Sequence, residues 1–472
     1  MNFLSFFLFQ IIITFSFEEP LNPIPEGNGL LNAKYNHSIE EKNLFFVFIH
    51  FRHGARTPIY LKRDNHTDMH GGKWSLYGEL TNLGRKQHYE LGSKNRERYS
   101  NYINEKYDPK EVQIYSSKFE RCINSVQSQL LGFYSNITDI NLNFLDFNGV
   151  NIGNKNKDSE YIKSIIPAVN LFEYNEDDKF RKKKYEKVFQ NHFDCPYILR
   201  QFKKTWNEKN KEISNLVENF NEQYYQLLIE EFRDIKNRKI NTVKGFHRFC
   251  DVYISVYYDR DNNHVLEKIS KYGINITTIR DICKDYLFKY FVNVRNGGYV
   301  KNNAIISLSP IIRKIINWMG VRADLNNNFA PEYNKPKLVL YSGHDSTIFD
   351  LQIILNRVFN TNLEFPDFAS TQVFELRRYN YIYYVELYYN DKLKMNITYD
   401  LFVKQLRKVL KDEKDLYNLC YIDKEELYLF YKKILLGIFI IILVIIIYFL
   451  IKVINKEKYA TQNYNNVIQI AT

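Results

Sequence analysis

The stretch F-R-H-G-A-R-T-P, Phe51–Pro58, decides how this chain is read. It follows an unbroken apolar run, Leu44–Ile49, that reads as a buried β-strand. Open α/β sheets place ligands where such strands end and the backbone turns. Two arginines flanking a histidine make a poor core and a good cradle. Arg52 and Arg56 offer parallel donors that stay charged, which suits a phosphate. His53 offers a neutral imidazole, which is nucleophilic near or below neutral pH.

Two further strand ends supply similar chemistry. The short strand Val112–Tyr115 is followed by Arg121, and the strand Lys337–Tyr341 runs into S-G-H-D-S-T, which carries His344 and Asp345. Cleaving a phosphate ester requires a nucleophile in line with phosphorus, cations on the equatorial oxygens and an acid for the leaving oxygen. His53, the arginines and Asp345 match those tasks. The bland alternative for any one Arg–Asp pair is a structural ion pair.

Around these strands the pattern is that of an α/β protein. Thr81 is a predicted N-cap for a helix running to about Tyr102, with another helix over Val126–Phe133 and a strand over Leu142–Phe147. From about Gly149 to Gly298 Lys, Glu and Asn rise, and Trp206–Ile235 has helical spacing. The basic run Arg181–Lys184 reads as a solvated face. Ser309-Pro310 is expected to start a helix through Trp318, with Pro at its first position. Val373–Arg378 and Tyr381–Tyr389 alternate as a hairpin across Tyr379-Asn380, and Leu401–Leu410 is amphipathic. The expected architecture is an α/β core, residues 40–148 and 299–425, split by a helical cap at 149–298.

Both ends carry membrane-related segments. Leu4–Phe15 is apolar and short, with Thr14 and Ser16 placed as a signal peptidase prefers, so residues 1–16 are expected to be a signal peptide; an uncleaved anchor is the alternative. Ile434–Ile451 is unbroken apolar sequence between Lys432-Lys433 and Lys452, long enough for a transmembrane helix. That makes a single-pass type I protein, body luminal or extracellular and residues 452–472 cytosolic. The formal net charge of +11 permits nucleic acid, a membrane surface or an anionic small substrate as partner. No basic stripe interleaved with aromatics occurs, which argues against nucleic acid. Sequons at Asn36, Asn65, Asn136, Asn275 and Asn396 are candidate glycosylation sites. The five cysteines show no CxxC spacing, so no zinc site is expected, and their odd number permits two disulfides and one free thiol.

The chain resembles the histidine acid phosphatases, in the branch that includes the prostatic and lysosomal enzymes. FRHGARTP matches that family's RHGxRxP signature and G-H-D-S-T, Gly343–Thr347, its HD signature. Gly78–Gly92, Tyr115–Leu130 and Phe365–Asp391 resemble the intervening and late segments. The likeness covers about Leu44–Cys420 and is weakest across the cap. It implies a histidine-phosphatase core, a mixed sheet flanked by helices, with a cap insertion. It implies His53 as the nucleophile that becomes phosphohistidine, Asp345 as proton donor, and Arg52, Arg56, Arg121 and His344 as phosphate ligands. No metal or organic cofactor is implied.

The expected activity is acid hydrolysis of phosphomonoesters. A selective phosphatase of phytate or lysophosphatidate type, and a catalytically silent phospho-ligand receptor, are the alternatives. HD rather than HAE argues against the multiple-inositol-polyphosphate branch, and Ala55, where some relatives have Asp, is an allowed variant. Thr371 stands where relatives often have a cysteine, so that family disulfide is expected to be missing. Cys195 and Cys420 suit another family bridge, Cys250 with Cys283 is a guess, and Cys122 is expected to be a buried thiol. His88 is read as structural and His50 is given no role. Tyr464-Asn465-Asn466-Val467 fits the YxxΦ signal read by endocytic adaptors, a feature similar to membrane-bound lysosomal relatives, and dimers are familiar in the family.

Overall fold

The computed structural model describes residues 43–59, 78–117, 119–134, 170–171, 195, 197–198, 211–225, 242–258, 263–295, 303–325, 335–421 and 424–471. The expected signal peptide, the sequons at Asn36, Asn65 and Asn136, the strand over Leu142–Phe147 and the run Arg181–Lys184 lie outside those residues.

A seven-stranded mixed sheet organises the core. Its strands are β1 (Leu44–Arg52), β2 (Val112–Ser116), β3 (Asn170–Leu171), β4 (Leu338–Gly343), β5 (Thr371–Tyr379), β6 (Ile382–Tyr389) and β7 (Lys392–Thr398), in the order β3-β2-β4-β1-β5-β6-β7. β1, β2, β3 and β4 run parallel, and β5–β7 add an antiparallel edge to β1. β1 is central and all but Phe45 is buried, which is why it reads as a continuous apolar run rather than an alternation. The hairpin is confirmed, and its turn falls at Asn380-Tyr381 with φ of 48° and 68°. A second such turn, Asn390-Asp391 at 45° and 63°, adds β7, which the sequence reading did not anticipate.

Helices cover both faces. α1 (Asn82–Arg98) is capped by Thr81, whose side chain accepts from the Gly84 N–H; with α2 (Glu120–Tyr134) it covers the face lined by Val47, Ile49 and Phe51. α3 (Lys211–Phe220), α4 (Val243–Tyr258), α5 (Asn263–Lys271) and α6 (Ile276–Lys289) lie in the insert. They share one hydrophobic cluster with the opposite face, lined by Phe46 and Phe48, and with α7 (Asn303–Arg322), α8 (Asp345–Phe359) and α9 (Tyr399–Val409). Successive β1 residues thus feed opposite cores, as the period of a strand requires. Phe48 packs against Trp318, Tyr341 and Phe374, and truncating so buried an aromatic costs roughly 3–5 kcal/mol.

One expectation is corrected. Pro310 does not open a helix; it lies inside α7, which begins at Asn303. Residues Asn303–Ile312 are all buried, and that burial outweighs the helical cost of proline, about 3 kcal/mol. Ser309 bonds beside the proline: its Oγ donates to the Ile305 carbonyl at 2.6 Å and accepts from the Lys411 N–H at 3.0 Å.

Cys250 and Cys283 form a disulfide joining α4 to α6. Cys195 is also disulfide-bonded and packs with Ile198, Ile306 and Leu416; the side chain of Cys420, in α10 (Glu413–Tyr421), is outside the described residues. Cys122 is buried and in no disulfide. Thr371 opens β5. The last helix, α11 (Lys424–Ala471), contains the apolar segment Tyr431–Lys456, whose most apolar 18 residues have mean hydropathy 3.5 and are not buried. It is long and apolar enough to cross a membrane. α7 passes the same test of length and composition but is 83% buried in the core.

Candidate active site

Parallel register brings the motif residues to one edge. Arg52 at the end of β1 lies beside Gly343 of β4, and Ser116 of β2 lies beside Ser342. Past the sheet the chains stay stitched: His53 N–H donates to the Gly343 carbonyl at 3.0 Å, and Ser117 N–H to the Ser342 carbonyl at 3.1 Å. His53, Arg121, His344 and Asp345 therefore meet although up to 292 positions separate them (345 − 53).

The first helix and the second lock the turn itself. His88 is wholly buried and its Nε2 hydrogen-bonds the Arg52 carbonyl at 3.1 Å. Gln87 accepts from the Ala55 N–H at 2.8 Å, and Thr81 donates to the Ala55 carbonyl at 3.0 Å. Ser125 accepts from the Gly54 N–H at 3.1 Å and donates to the Arg121 carbonyl at 2.6 Å. The motif glycine is required by this packing. A Cβ on Gly54 would collide with the backbone of Gly84, and one on Gly84 with the backbone of Ala55.

His53 is 2% exposed, and its Nδ1 lies 2.9 Å from the Gly54 carbonyl. A carbonyl only accepts, so Nδ1 carries the proton and Nε2 holds the lone pair. Burial lowers the His53 pKa well below its ordinary value, and Arg121, Arg52, Arg56 and His344 push the same way. Its surroundings therefore favour the neutral ring. His344, with its ring 5.5 Å from that of His53, is also held well below the ordinary value, first by burial and then by Arg121. Its Nε2 lies 3.0 Å from Ser117 Oγ, and its ring meets Phe119 edge-on. His50 completes this end of the site: its Nε2 is 3.1 Å from Thr347 Oγ1, which caps α8 by accepting from the His344 N–H at 3.0 Å.

Three arginines converge on this pocket. Arg52 donates to the Pro366 carbonyl at 2.7 Å, pairs with Asp345 at 2.8 Å and stacks 4.3 Å from the Phe368 ring. Arg56 pairs with Asp251 at 2.7 Å. Arg121 lies 4.4 Å from the Phe119 ring and reaches the Gly78 carbonyl at 3.4 Å. Each of the three keeps a buried Nε–H with no partner. Buried donors are nearly always satisfied, so three orphans in one place point to an anionic ligand.

Asp345 opens α8 and its Oδ1 accepts from the Ser346 N–H at 2.7 Å. Burial would raise its carboxyl, but Arg52, then Arg56 and His344, outweigh this and hold it at about 2. Without a ligand it is a carboxylate. Asp251, Phe368, Ser117 and Ser125 belong to the site and were not foreseen. Only Asp251 leaves a trace in the sequence: a lone carboxylate inside the otherwise apolar stretch Phe249–Ile254.

The family model "Histidine phosphatase superfamily (branch 2)" matches residues 43–390. Among curated proteins, bovine prostatic acid phosphatase (Bos taurus) is 25% identical over 359 residues, 75% of this chain and 79% of the relative. Lysosomal acid phosphatase of Rattus norvegicus is 24% identical over 362 residues, 75% of this chain and 73% of the relative. Among solved structures, the Klebsiella sp. ASR1 phytase superposes with a TM-score of 0.50 at 12% identity, covering 78% of this chain and 96% of that one. At that identity the likeness concerns the fold.

Proposed function

This chain belongs to the histidine phosphatase superfamily, branch 2, and on that premise we propose that it is an acid phosphatase acting through a phosphohistidine. It is a phosphomonoester hydrolase, in keeping with its acid phosphatase relatives. The observation that carries the mechanism is the excess of unpartnered arginine donors around a neutral His53.

The phosphoryl oxygens take up the free donors of Arg52, Arg56 and Arg121, with His344 beside them. His53 Nε2 attacks phosphorus as the bond to the ester oxygen breaks, and Asp345 gives that oxygen its proton. Water then attacks the phosphohistidine, Asp345 takes a proton from it, and phosphate leaves. Asp345 needs a proton that it lacks in the free protein. Two effects supply it: the substrate's charge weakens the hold of Arg52 on Asp345, and an acid medium presents the ester as a monoanion. The alkaline limb of kcat/KM is therefore expected near the second ionisation of the ester, about pH 6.

The apolar helix Tyr431–Lys456 supports a single-pass anchor, and the lysosomal relatives support a lysosomal or endosomal membrane. We place the catalytic unit on the luminal side, behind a signal peptide at residues 1–16. Asn275 is exposed and available for glycan. Asn396 is half-buried in β7, with its Nδ2 turned toward Glu386 at 3.5 Å, and is a poor acceptor.

The test is hydrolysis of p-nitrophenyl phosphate by the full-length protein from pH 3 to 8, beside His53→Ala. Metal-independent acid turnover lost in the variant is the expected result. No turnover by a folded wild type would sink the reading of a general phosphatase.

A further inference from the structure

Arg56 is gripped from outside the motif. Its Nη1 donates to the Thr57 carbonyl at 3.0 Å and more loosely to Ser255 Oγ at 3.4 Å, while Nη2 meets Asp251 Oδ1 at 2.7 Å. Asp251 and Ser255 lie one turn apart on α4, in the helical insert. The other oxygen of Asp251 accepts from the Ile59 backbone N–H at 2.9 Å. One carboxylate thus fixes both the arginine and the backbone that leaves the motif. The pair is shielded from water, its side chains 7% and 8% exposed.

Placing a carboxylate beside an anion site opposes the anion by charge. What it offers in return is order. An arginine stem is flexible, and its fork serves a phosphate only in one orientation. Asp251 takes Nη2 and leaves the buried Arg56 Nε–H without a partner.

We propose that Asp251 is a positioning residue: through it the helical insert orients Arg56 and sets the affinity for the phosphoryl group. The proposal rests on the phosphatase reading above. Asp251→Asn has almost the same shape, yet an amide carries only one accepting oxygen and faces two donors, Arg56 Nη2–H and Ile59 N–H. One donor must meet the amide N–H, so the arginine or the loop moves. That loss of orientation outweighs the relief of negative charge.

Binding of inorganic phosphate is measured by calorimetry on the detergent-solubilised full chain, for wild type, Asp251→Asn, Arg56→Ala and the double variant. The expected result is a Kd about tenfold weaker in Asp251→Asn, with no further loss once Arg56 is gone. KM for p-nitrophenyl phosphate rises in parallel while kcat moves less, because the contact is made before and during the reaction. Unchanged or tighter phosphate binding in Asp251→Asn, or an equal loss without Arg56, overturns the proposal. Ser255→Ala keeps the carboxylate, loses only the looser contact and is expected to change phosphate affinity by about twofold at most. If Asp251→Asn does not fold, Asp251→Glu, which shifts both accepting oxygens by one methylene, takes its place, and an unchanged Kd there overturns the proposal. Wild type that binds phosphate without turning over an ester sinks the phosphatase reading and leaves this one standing. Wild type that binds no phosphate sinks both.

Discussion

Around His53, three arginines (Arg52, Arg56, Arg121) face two carboxylates (Asp251, Asp345), and each arginine keeps a buried donor unused. Where the end of α1 meets the β5–β6 hairpin, two arginines face two glutamates, with Asp391 a further 3.9 Å from Arg98, and the bonds close. Glu375 takes Arg98 at 2.6 Å, Arg377 at 2.5 Å and the Tyr99 hydroxyl at 2.8 Å. Glu386 takes Arg377 at 3.3 Å, the Tyr379 hydroxyl at 3.1 Å and the Tyr388 hydroxyl at 2.7 Å. No side-chain nitrogen or oxygen of these four charged residues is buried without a partner. The two clusters have similar composition and differ in balance. A balanced buried cluster holds the fold, whereas a surplus of one sign is held by the fold and completed by a ligand.

That contrast predicts opposite phenotypes. Arg121→Ala should lower kcat/KM on the order of 10²–10³-fold, the effect of removing one donor from an anion site, and leave the melting temperature unchanged or higher. Parallel loss of activity and stability would break the distinction. Glu375→Ala removes the main partner of Arg98 and Arg377, leaving them Asp391 at 3.9 Å and Glu386 at 3.3 Å, and should cost roughly 1–3 kcal/mol in denaturant unfolding, with kcat per folded molecule intact. A smaller and finer test uses His88, which supports Arg52 from below. Burial lowers its pKa to about 4, against the neighbouring Gln129 side chain and the Arg52 carbonyl, which raise it. The unfolded chain protonates near 6.5, so stability is full above that value. It falls as pH drops from there toward 4, by about 1.4 kcal/mol per pH unit for this one group. His88→Gln should flatten the slope of melting temperature against pH between 6.5 and 4; an unchanged slope assigns the acid sensitivity elsewhere.

The balanced and unbalanced clusters were also unequally legible in the sequence. Arg52, His53 and Arg56 are adjacent, and Arg121, His344 and Asp345 each follow a readable strand, so parallel register alone delivers them to one edge. The hairpin strands were legible from alternation. Glu375 and Glu386 were not, because what makes them structural is pairing with Arg98 on a distant helix. Asp251 escaped for the same reason, 195 positions from Arg56. Pro310 follows no local rule of helix initiation, because burial sets where its helix begins. Local chemistry survives in sequence as a string; long-range partners do not.

The most direct measurement of the central claim is rapid quenching of the full-length protein with p-nitrophenyl phosphate, followed by mass spectrometry of the peptide containing Phe51–Pro58. A phosphate on His53, stable to alkali and labile to acid, formed and discharged within a turnover, is the predicted result. Turnover that passes with no phosphate on the protein, or with phosphate on another residue, would contradict it.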